Sequence, residues 1–237
     1  RFGEALDEIP DNIVGVLVVG NTFSLCTTGA TFAGSAVIRY NSHGPTRNLT
    51  VANNTISDCL GEDQVTQGAI HILASHSSGS SLSMENLLIT GNSINNCGGC
   101  GVKFADSAFG TAWTASGITI DGNTIQDGMN DAVRLAFGVF TVAQMISVSG
   151  NTIDTVSGPT ASDLAINILG PTAADLVGVT VQNNRIRNAG STTGGNGQIV
   201  VDAASGLTQL NVSGNIIAAG GFTAGIFIEA SGTLLDT

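Results

Sequence analysis

The feature that most constrains the fold is an asparagine that follows a glycine or another asparagine and recurs seven times along the chain. One copy stands in 119-TIDGNTIQDG-128, where Gly122 and Asn123 lie between two short apolar–polar alternations. Successive copies are 28 to 38 residues apart, an interval that indicates a solenoid, a propeller or another repeat array. The seven anchor asparagines are Asn21, Asn54, Asn92, Asn123, Asn151, Asn184 and Asn215.

Large apolar residues stand at three fixed positions around every anchor asparagine: five before it, three before it and two after it. Around Asn123 these are Ile118, Ile120 and Ile125, and the residues between them are polar or glycine. All 21 such positions in the chain hold Val, Ile, Leu or Phe. Because side chains of a strand alternate between its two faces, this period of two predicts strands with one buried face.

The residue before each anchor asparagine is a glycine or another asparagine, the two types that best tolerate positive φ. We therefore expect a two-residue turn with one left-handed residue at every anchor. Burial of the 21 apolar side chains contributes on the order of 30–60 kcal/mol before opposing terms, against about 7 kcal/mol from seven side-chain hydrogen bonds. The asparagines are accordingly expected to form a ladder between coils that fixes their register.

A further alternating strand follows each anchor, as in AIHIL and GVKFA, so each repeat reads strand, turn, short strand, loop, strand, loop. In this pattern the chain resembles the right-handed parallel β-helices of the pectate-lyase-like superfamily over almost its whole length. The resemblance implies an all-β solenoid of about seven coils with an asparagine ladder at the two-residue turn. The four antiparallel strands per repeat that a propeller needs are not visible.

The whole chain, residues 1–237, is expected to form a single β-helix domain. Arg1-Phe2 resembles the pair that follows an anchor, and the segment 233–237 resembles the strand that precedes one. We therefore expect either a slice of a longer solenoid or a subunit that stacks on other copies, because open coil ends leave strand edges unpaired.

The net charge of −11 argues against nucleic acid as a partner, since a polyanion is repelled and no run of basic residues offsets this. Only 11% of the residues are charged. No apolar run approaches the 18 residues that a membrane-spanning helix needs, so no membrane span is expected.

Three of the four cysteines lie five residues after an anchor asparagine and should stack on successive coils at about 4.8 Å. The fourth, Cys100, follows Cys97 in the local sequence Cys-Gly-Gly-Cys. We predict the disulfides Cys26–Cys59 and Cys97–Cys100, which imply an oxidising, extracellular or cell-surface location. The alternative is four buried free thiols, whereas the spacing of cysteines and histidines gives little support to a zinc site.

In proteins of the family that the chain resembles, the active-site groove lies over the first strand of each coil. The outward column of that strand carries His71, Lys103 and Arg134 on consecutive coils, although the chain has only seven Lys and Arg. The expected column is Val37, His71, Lys103, Arg134, Asn167, Val200 and Phe227. Such a basic stripe suits an acidic sugar, and its alternative interpretation is a set of ordinary solvated strand residues.

If the protein is an enzyme, the resemblance implies a polysaccharide lyase with His71, Lys103, Arg134 and Asp131 as catalytic candidates. Calcium would then neutralise the uronate, although the scattered carboxylates predict no calcium cage. The ligand groove would further be lined by Asn167, Asp106 and Phe227. A hydrolase needs two positioned carboxylates, and Asp131 is the only good candidate. Outside the lyase hypothesis we expect no metal and no cofactor.

A structural role is favoured over catalysis for three reasons. The mean hydropathy is +0.30 with few charges, the ends look unfinished, and several loops carry apolar residues that look exposed. These loop residues are Phe109, Trp113, Phe137, Phe140, Val142 and Met145. We expect a non-enzymatic extracellular module of a fibre, surface layer or adhesin stalk that associates with copies of itself or with more of its own chain. The alternative is a lyase-like or glycan-binding module that acts on an acidic polysaccharide.

Overall fold

The computed structural model of this protein describes residues 13–25, 36–42, 44–59, 68–74, 82–106, 113–128, 131–156, 164–189, 198–218, 225–230 and 234–235. Within these ranges the regular structure consists of β-strands, which pair in parallel in three sheets. Neighbouring strands of one sheet are separated in sequence by a strand of each other sheet, so the chain winds through the three sheets in turn. The predicted parallel β-solenoid is confirmed.

The first sheet carries the strands that lead into the anchor asparagines. Its strands are Ile13–Val14, Leu17–Val19, Thr46–Ala52, Leu82–Thr90, Trp113–Asp121, Phe140–Ser149, Asp175–Gln182, Gly206–Ser213 and Leu234–Leu235. The alternation that predicted these strands places Ile118 and Ile120 in the interior, and both are fully buried.

The second sheet follows the anchor turn, and the third sheet closes each coil. The second sheet consists of Thr22–Ser24, Thr55–Cys59, Ser93–Cys97, Thr124–Gly128, Thr152–Val156, Arg185–Ala189 and Ile216–Ala218. The third sheet consists of Ala36–Ser42, Gly68–Ala74, Cys100–Asp106, Val133–Ala136, Ile166–Leu169, Ile199–Ala203 and Ile226–Ala230. The inner faces of the three sheets enclose one continuous apolar core.

The anchor asparagines form the predicted ladder from Asn21 to Asn215. In each of its six steps the backbone N–H and the side-chain amide of one asparagine donate to Oδ1 of the next, at 2.9–3.0 Å. The side-chain amide of Asn123 also donates to the carbonyl of Ile89 at 3.0 Å. Each inner asparagine therefore ties its own turn to both neighbouring turns.

About five turns are fully packed, fewer than the seven coils expected. The anchor asparagines of these five turns are buried, and they are Asn54, Asn92, Asn123, Asn151 and Asn184. Asn21 is exposed and Asn215 is half-buried, and the apolar columns beside them, such as Val18 and Val212, are only partly buried. A terminal turn is covered on one side only, which explains why the ladder has seven members but the packed core has fewer turns.

Three columns of left-handed residues shape each turn, whereas the sequence predicted one. The expected column directly precedes the anchors and includes Gly91, where a Cβ would lie 2.5 Å from Oδ1 of Asn53. A second column lies six residues before the anchors and consists of Gly15, Asn48, Asn86, Gly117, Met145, Gly178 and Gln209. A third lies four residues after them and contains Leu25, Asp58, Asn96, Asp127 and Asn188. Nine of these twelve residues are Gly, Asn or Asp, which tolerate positive φ, and the other three, Leu25, Met145 and Gln209, are types that rarely adopt it.

The aromatic residues that looked like an exposed patch are mostly core. Trp113, Phe137 and Phe140 are buried. Phe137 and Phe140 pack against Phe104 and Trp113 packs against Phe140, with ring centroids 5.2–6.2 Å apart. Val142 and Met145 are exposed as expected, and Phe109 lies outside the described residues. The expectation of a surface patch was wrong for the three aromatic residues, because these large side chains fill the interior between the first and third sheets.

Cys97 is a buried, unbridged thiol in this structure, and the disulfide Cys97–Cys100 stays a prediction. Cys97 ends a strand of the second sheet and Cys100 begins a strand of the third, so each is directed by its own sheet. Cys59 donates its thiol to the carbonyl of Ser57 at 3.2 Å, and its predicted partner Cys26 lies outside the described residues.

Replacing an inner ladder residue should cost far more stability than replacing the terminal one. Asn123→Ala leaves the N–H of Asn92 and several other buried groups without partners, so we expect a loss of about 3 kcal/mol in the free energy of unfolding. Asn21→Ala is the matched control, and because water reaches Asn21 the loss should be about 1 kcal/mol or less. Urea unfolding measures both, and equal losses would show that burial of the ladder is unimportant.

Candidate functional site

A row of polar and charged residues runs along the outer face of the third sheet. The register pairs His71 with Lys103, Lys103 with Arg134, and Arg134 with Asn167, each on the next turn. The row continues through Val200 to Phe227, where it becomes apolar. The structure thus brings together four predicted site residues at a spacing of about 4.8 Å per turn.

The first member of this row is Arg39, two residues after the predicted member Val37. Arg39 pairs in register with His71. The inward side chains of its strand are the buried Ile38 and Tyr40, so alternation turns Arg39 outward. Alternation turns both Val37 and Arg39 outward, and the register with His71 is what places Arg39 in the row as its third cation.

His71 is buried and neutral although it lies between two cations. Its side chain is 3% exposed, and neither ring nitrogen has a hydrogen-bond partner among the described residues. Burial, followed by the positive charges of Lys103 and Arg39, lowers the pKa of His71 to about 3. At neutral pH the imidazole can therefore exchange hydrogen bonds with a ligand but carries no positive charge.

Asp131 lies beneath the row and holds two of its members in place. Its Oδ1 accepts the backbone N–H of Leu164 at 2.8 Å, and its Oδ2 accepts the side chains of Asn167 at 2.9 Å and Arg134 at 3.2 Å. Burial raises the pKa of Asp131, and the hydrogen bonds from Asn167 and Leu164 and the charge of Arg134 oppose that shift. The predicted catalytic candidate Asp131 is thus placed to orient Arg134 and Asn167.

Asn167 completes the polar part of the row. It is buried, and its Oδ1 has no hydrogen-bond partner among the described residues, whereas its amide nitrogen is held by Asp131. Buried polar atoms are usually paired. The unpaired oxygen of Asn167 and the unpaired ring of His71 therefore mark this face as a place where polar ligand groups would be accommodated.

The other predicted groove residues lie away from this cluster. Asp106 ends the strand Cys100–Asp106 and pairs in register with Ala74, three residues along the strand from the pair of Lys103 and His71, and its side chain lies outside the described part of the chain. Phe227 is half-buried and lies two turns beyond Asn167. Neither residue joins the polar cluster of Arg39, His71, Lys103, Arg134, Asn167 and Asp131, which we call the basic row.

The chemistry available to the basic row is recognition of negative charge. It presents Arg39, Lys103 and Arg134 on one sheet, while its one carboxylate, Asp131, is fully buried and hydrogen bonded. Hydrolysis by two carboxylates is not supported by this arrangement. In the part of the chain that the structure describes, no three His, Cys, Asp or Glu side chains are grouped to hold a metal ion.

Comparison with known proteins gives no family assignment, because no family model, curated protein or solved structure matches the chain. Over the described ranges, no helix has the length and apolar character required to cross a membrane.

The burial of His71 predicts that acid weakens the fold. An unfolded histidine takes up a proton near pH 6.5, whereas the folded His71 does so only near pH 3. Between these values the unfolded chain binds more protons, so stability falls as the pH falls from about 6.5 to about 3, by up to about 1.4 kcal/mol per pH unit.

The variant His71→Leu tests this prediction, because leucine fills the space without titrating. Urea unfolding across the window of pH 3 to 6.5 should show a shallower decline for the variant than for the wild type. Parallel curves for the two proteins would contradict the assignment of a strongly lowered pKa to His71.

Proposed function

We propose that this protein is a non-enzymatic structural module of an extracellular assembly such as a fibre, surface layer or adhesin stalk. Its β-solenoid is proposed to be right-handed and related to the pectate-lyase-like superfamily, which the repeat pattern and the asparagine ladder support. The proposed partners are further β-solenoid turns, supplied by copies of the protein or by more of its own chain.

One observation carries this proposal: exposed apolar side chains are concentrated at the two terminal turns. Among the described residues, nine large apolar side chains are exposed, and seven of them belong to the first or last turn. These seven are Val14, Leu17, Val19, Leu25, Ile216, Ile226 and Ile228. Soluble monomers rarely expose such apolar clusters unless they mark an interaction site.

The last turn shows that its exposed isoleucines occupy core columns. Ile226 pairs in register with Ile199, and Ile228 pairs with Val201, and both partners are fully buried. Ile226 and Ile228 are nevertheless 42% and 43% exposed. A further turn stacked on this face would cover Ile226 and Ile228, just as these two residues cover Ile199 and Val201.

The first turn exposes apolar surface on both faces. Val18 and Phe23 face the interior but are only partly buried, beside a cavity of about 150 Å³. On the outer face Leu17 is exposed where the following turn has Thr50 at the same register position. This end therefore offers both an apolar cavity and an apolar rim to a neighbour.

Covering these ends is favourable on two counts. Fully burying a Leu, Ile or Val side chain contributes roughly 1.5–3 kcal/mol, and an added turn pairs the backbone groups that a terminal strand leaves open. Because a solenoid turn contacts only its immediate neighbours, a stacked turn reproduces the environment of the inner turns without rearrangement.

The test compares wild type with Ile228→Asp by sedimentation and negative-stain electron microscopy. Wild type should associate with increasing concentration into elongated particles. The aspartate should weaken association at least tenfold, because it places a charge in the apolar face of the last turn. Unchanged secondary structure by circular dichroism establishes that the variant is folded.

Met145→Asp is the matched control, since Met145 is 59% exposed but belongs to an inner turn. Its left-handed φ of 54° is one that aspartate tolerates better than most residues. We expect normal association of this variant. A wild-type protein that stays monomeric, or equal loss of association in both variants, would contradict the proposal.

A second candidate function is binding of an acidic polysaccharide, and the basic row favours it. The chain has a net charge of −11 and only seven Lys and Arg residues. Three of these seven lie on consecutive or near-consecutive turns of the third sheet. A polymer with carboxylates at regular intervals would place several of them against Arg39, Lys103 and Arg134. A calcium ion that neutralises the uronate is proposed only for the case in which the protein also cleaves the polymer as a lyase.

Binding of polygalacturonate, measured by calorimetry, tests this candidate. Lys103→Gln should weaken binding about tenfold or more, because a charge-assisted hydrogen bond is lost. Arg185→Gln is the control, as Arg185 is exposed on the second sheet and pairs with Thr152, away from the basic row. Binding without any rise in ultraviolet absorbance from an unsaturated product supports a binding module, whereas such a rise would identify a lyase.

A further inference from the structure

Two buried cysteines face each other across successive turns at the end of the second sheet. Cys59 ends the strand Thr55–Cys59, Cys97 ends the strand Ser93–Cys97, and the two residues are partners in the register. Both side chains are buried. The sequence predicted this stacking of cysteines but assigned their disulfides to other partners.

The backbone spacing at this position suits a disulfide. Neighbouring parallel strands lie about 4.8 Å apart, and bridged cysteines have Cα atoms about 4.4–6.8 Å apart. Each thiol donates to a carbonyl of its own strand, Cys59 to Ser57 at 3.2 Å and Cys97 to Asn95 at 3.5 Å. The N–H of Gly98 donates to the carbonyl of Cys59 at 3.2 Å. The corner after Cys97 is thus fastened to the turn that carries Cys59.

We infer that Cys59 and Cys97 form a disulfide between two successive turns when the protein folds in the presence of a disulfide oxidant. One thiolate attacks the oxidant and releases one reduced thiol. The second cysteine then attacks the mixed disulfide and releases the other reduced thiol. The two protein thiols are oxidised, two protons leave, and the oxidant is reduced to two thiols.

Bridging Cys59 to Cys97 is favoured over bridging Cys97 to Cys100. Cys100 begins a strand of the third sheet, where its register partner is Gly68, and is fully buried there. A local bridge would pull Cys100 out of that pairing, whereas the Cys59–Cys97 bridge follows the existing register of the second sheet.

The folded thiols are protected, so the bridge must form while the turns assemble. Burial, followed by the neighbouring Cys59, raises the pKa of Cys97 to about 12. Because the thiolate is the reactive form, folded and reduced protein should react slowly with oxidants and alkylating reagents. During folding, the same thiols are accessible while the register brings them together.

The test is refolding of the fully reduced, full-length chain with oxidised glutathione, followed by mapping without reduction. Cleavage after Glu62 and Glu85 separates Cys59 from Cys97 but leaves Cys97 with Cys100. We expect a linked pair of peptides that contain Cys59 and Cys97. The link should persist in Cys26→Ser and Cys100→Ser and disappear in Cys59→Ser and Cys97→Ser.

Thermal unfolding gives an independent measurement. The bridge closes a long loop, so the oxidised protein should melt about 10 °C above the reduced protein. That difference should vanish in Cys59→Ser, which keeps a small polar side chain at the site. A map showing Cys97 joined to Cys100, Cys26 joined to Cys59, or all thiols reduced after oxidative refolding would overturn the inference.

Discussion

Register between turns is the constraint on which this structure depends, and the buried asparagine ladder fixes it. Each inner asparagine both accepts hydrogen bonds at Oδ1 and donates through its side-chain amide, as Asn123 does between Asn92 and Asn151. A turn displaced by one residue would break these bonds inside the protein, where no water can replace them. It would also move every apolar column to the outer face.

The same register creates the candidate site. Because the third sheet repeats in step with the ladder, residues some 30 positions apart in sequence become neighbours, and Lys103 lies between His71 and Arg134. The scaffold leaves these outward positions free to differ from turn to turn. Burial in the basic row lowers the pKa of His71 and raises the pKa of Asp131. The repeat pattern of the sequence does not specify these shifts.

The elements predicted correctly from the sequence are those that repeat. The apolar positions around Asn123 and the ladder itself recur seven times, so a single misread copy does not obscure the pattern. Two errors concern features that occur once: Arg39 in place of Val37, and the burial of Trp113. Each depends on one local offset or on how large side chains fill the interior, and repetition gives no information about either.

The sequence by itself determined the parallel solenoid, its inward columns and its ladder, because alternation and a fixed turn residue leave one arrangement that buries all copies together. Only the tertiary structure decided which turns are fully packed, that Arg39 belongs to the basic row, and that His71 and Asp131 are buried there. The physical reason is that burial and proximity across turns depend on what lies above and below a residue, and those neighbours are far away along the chain.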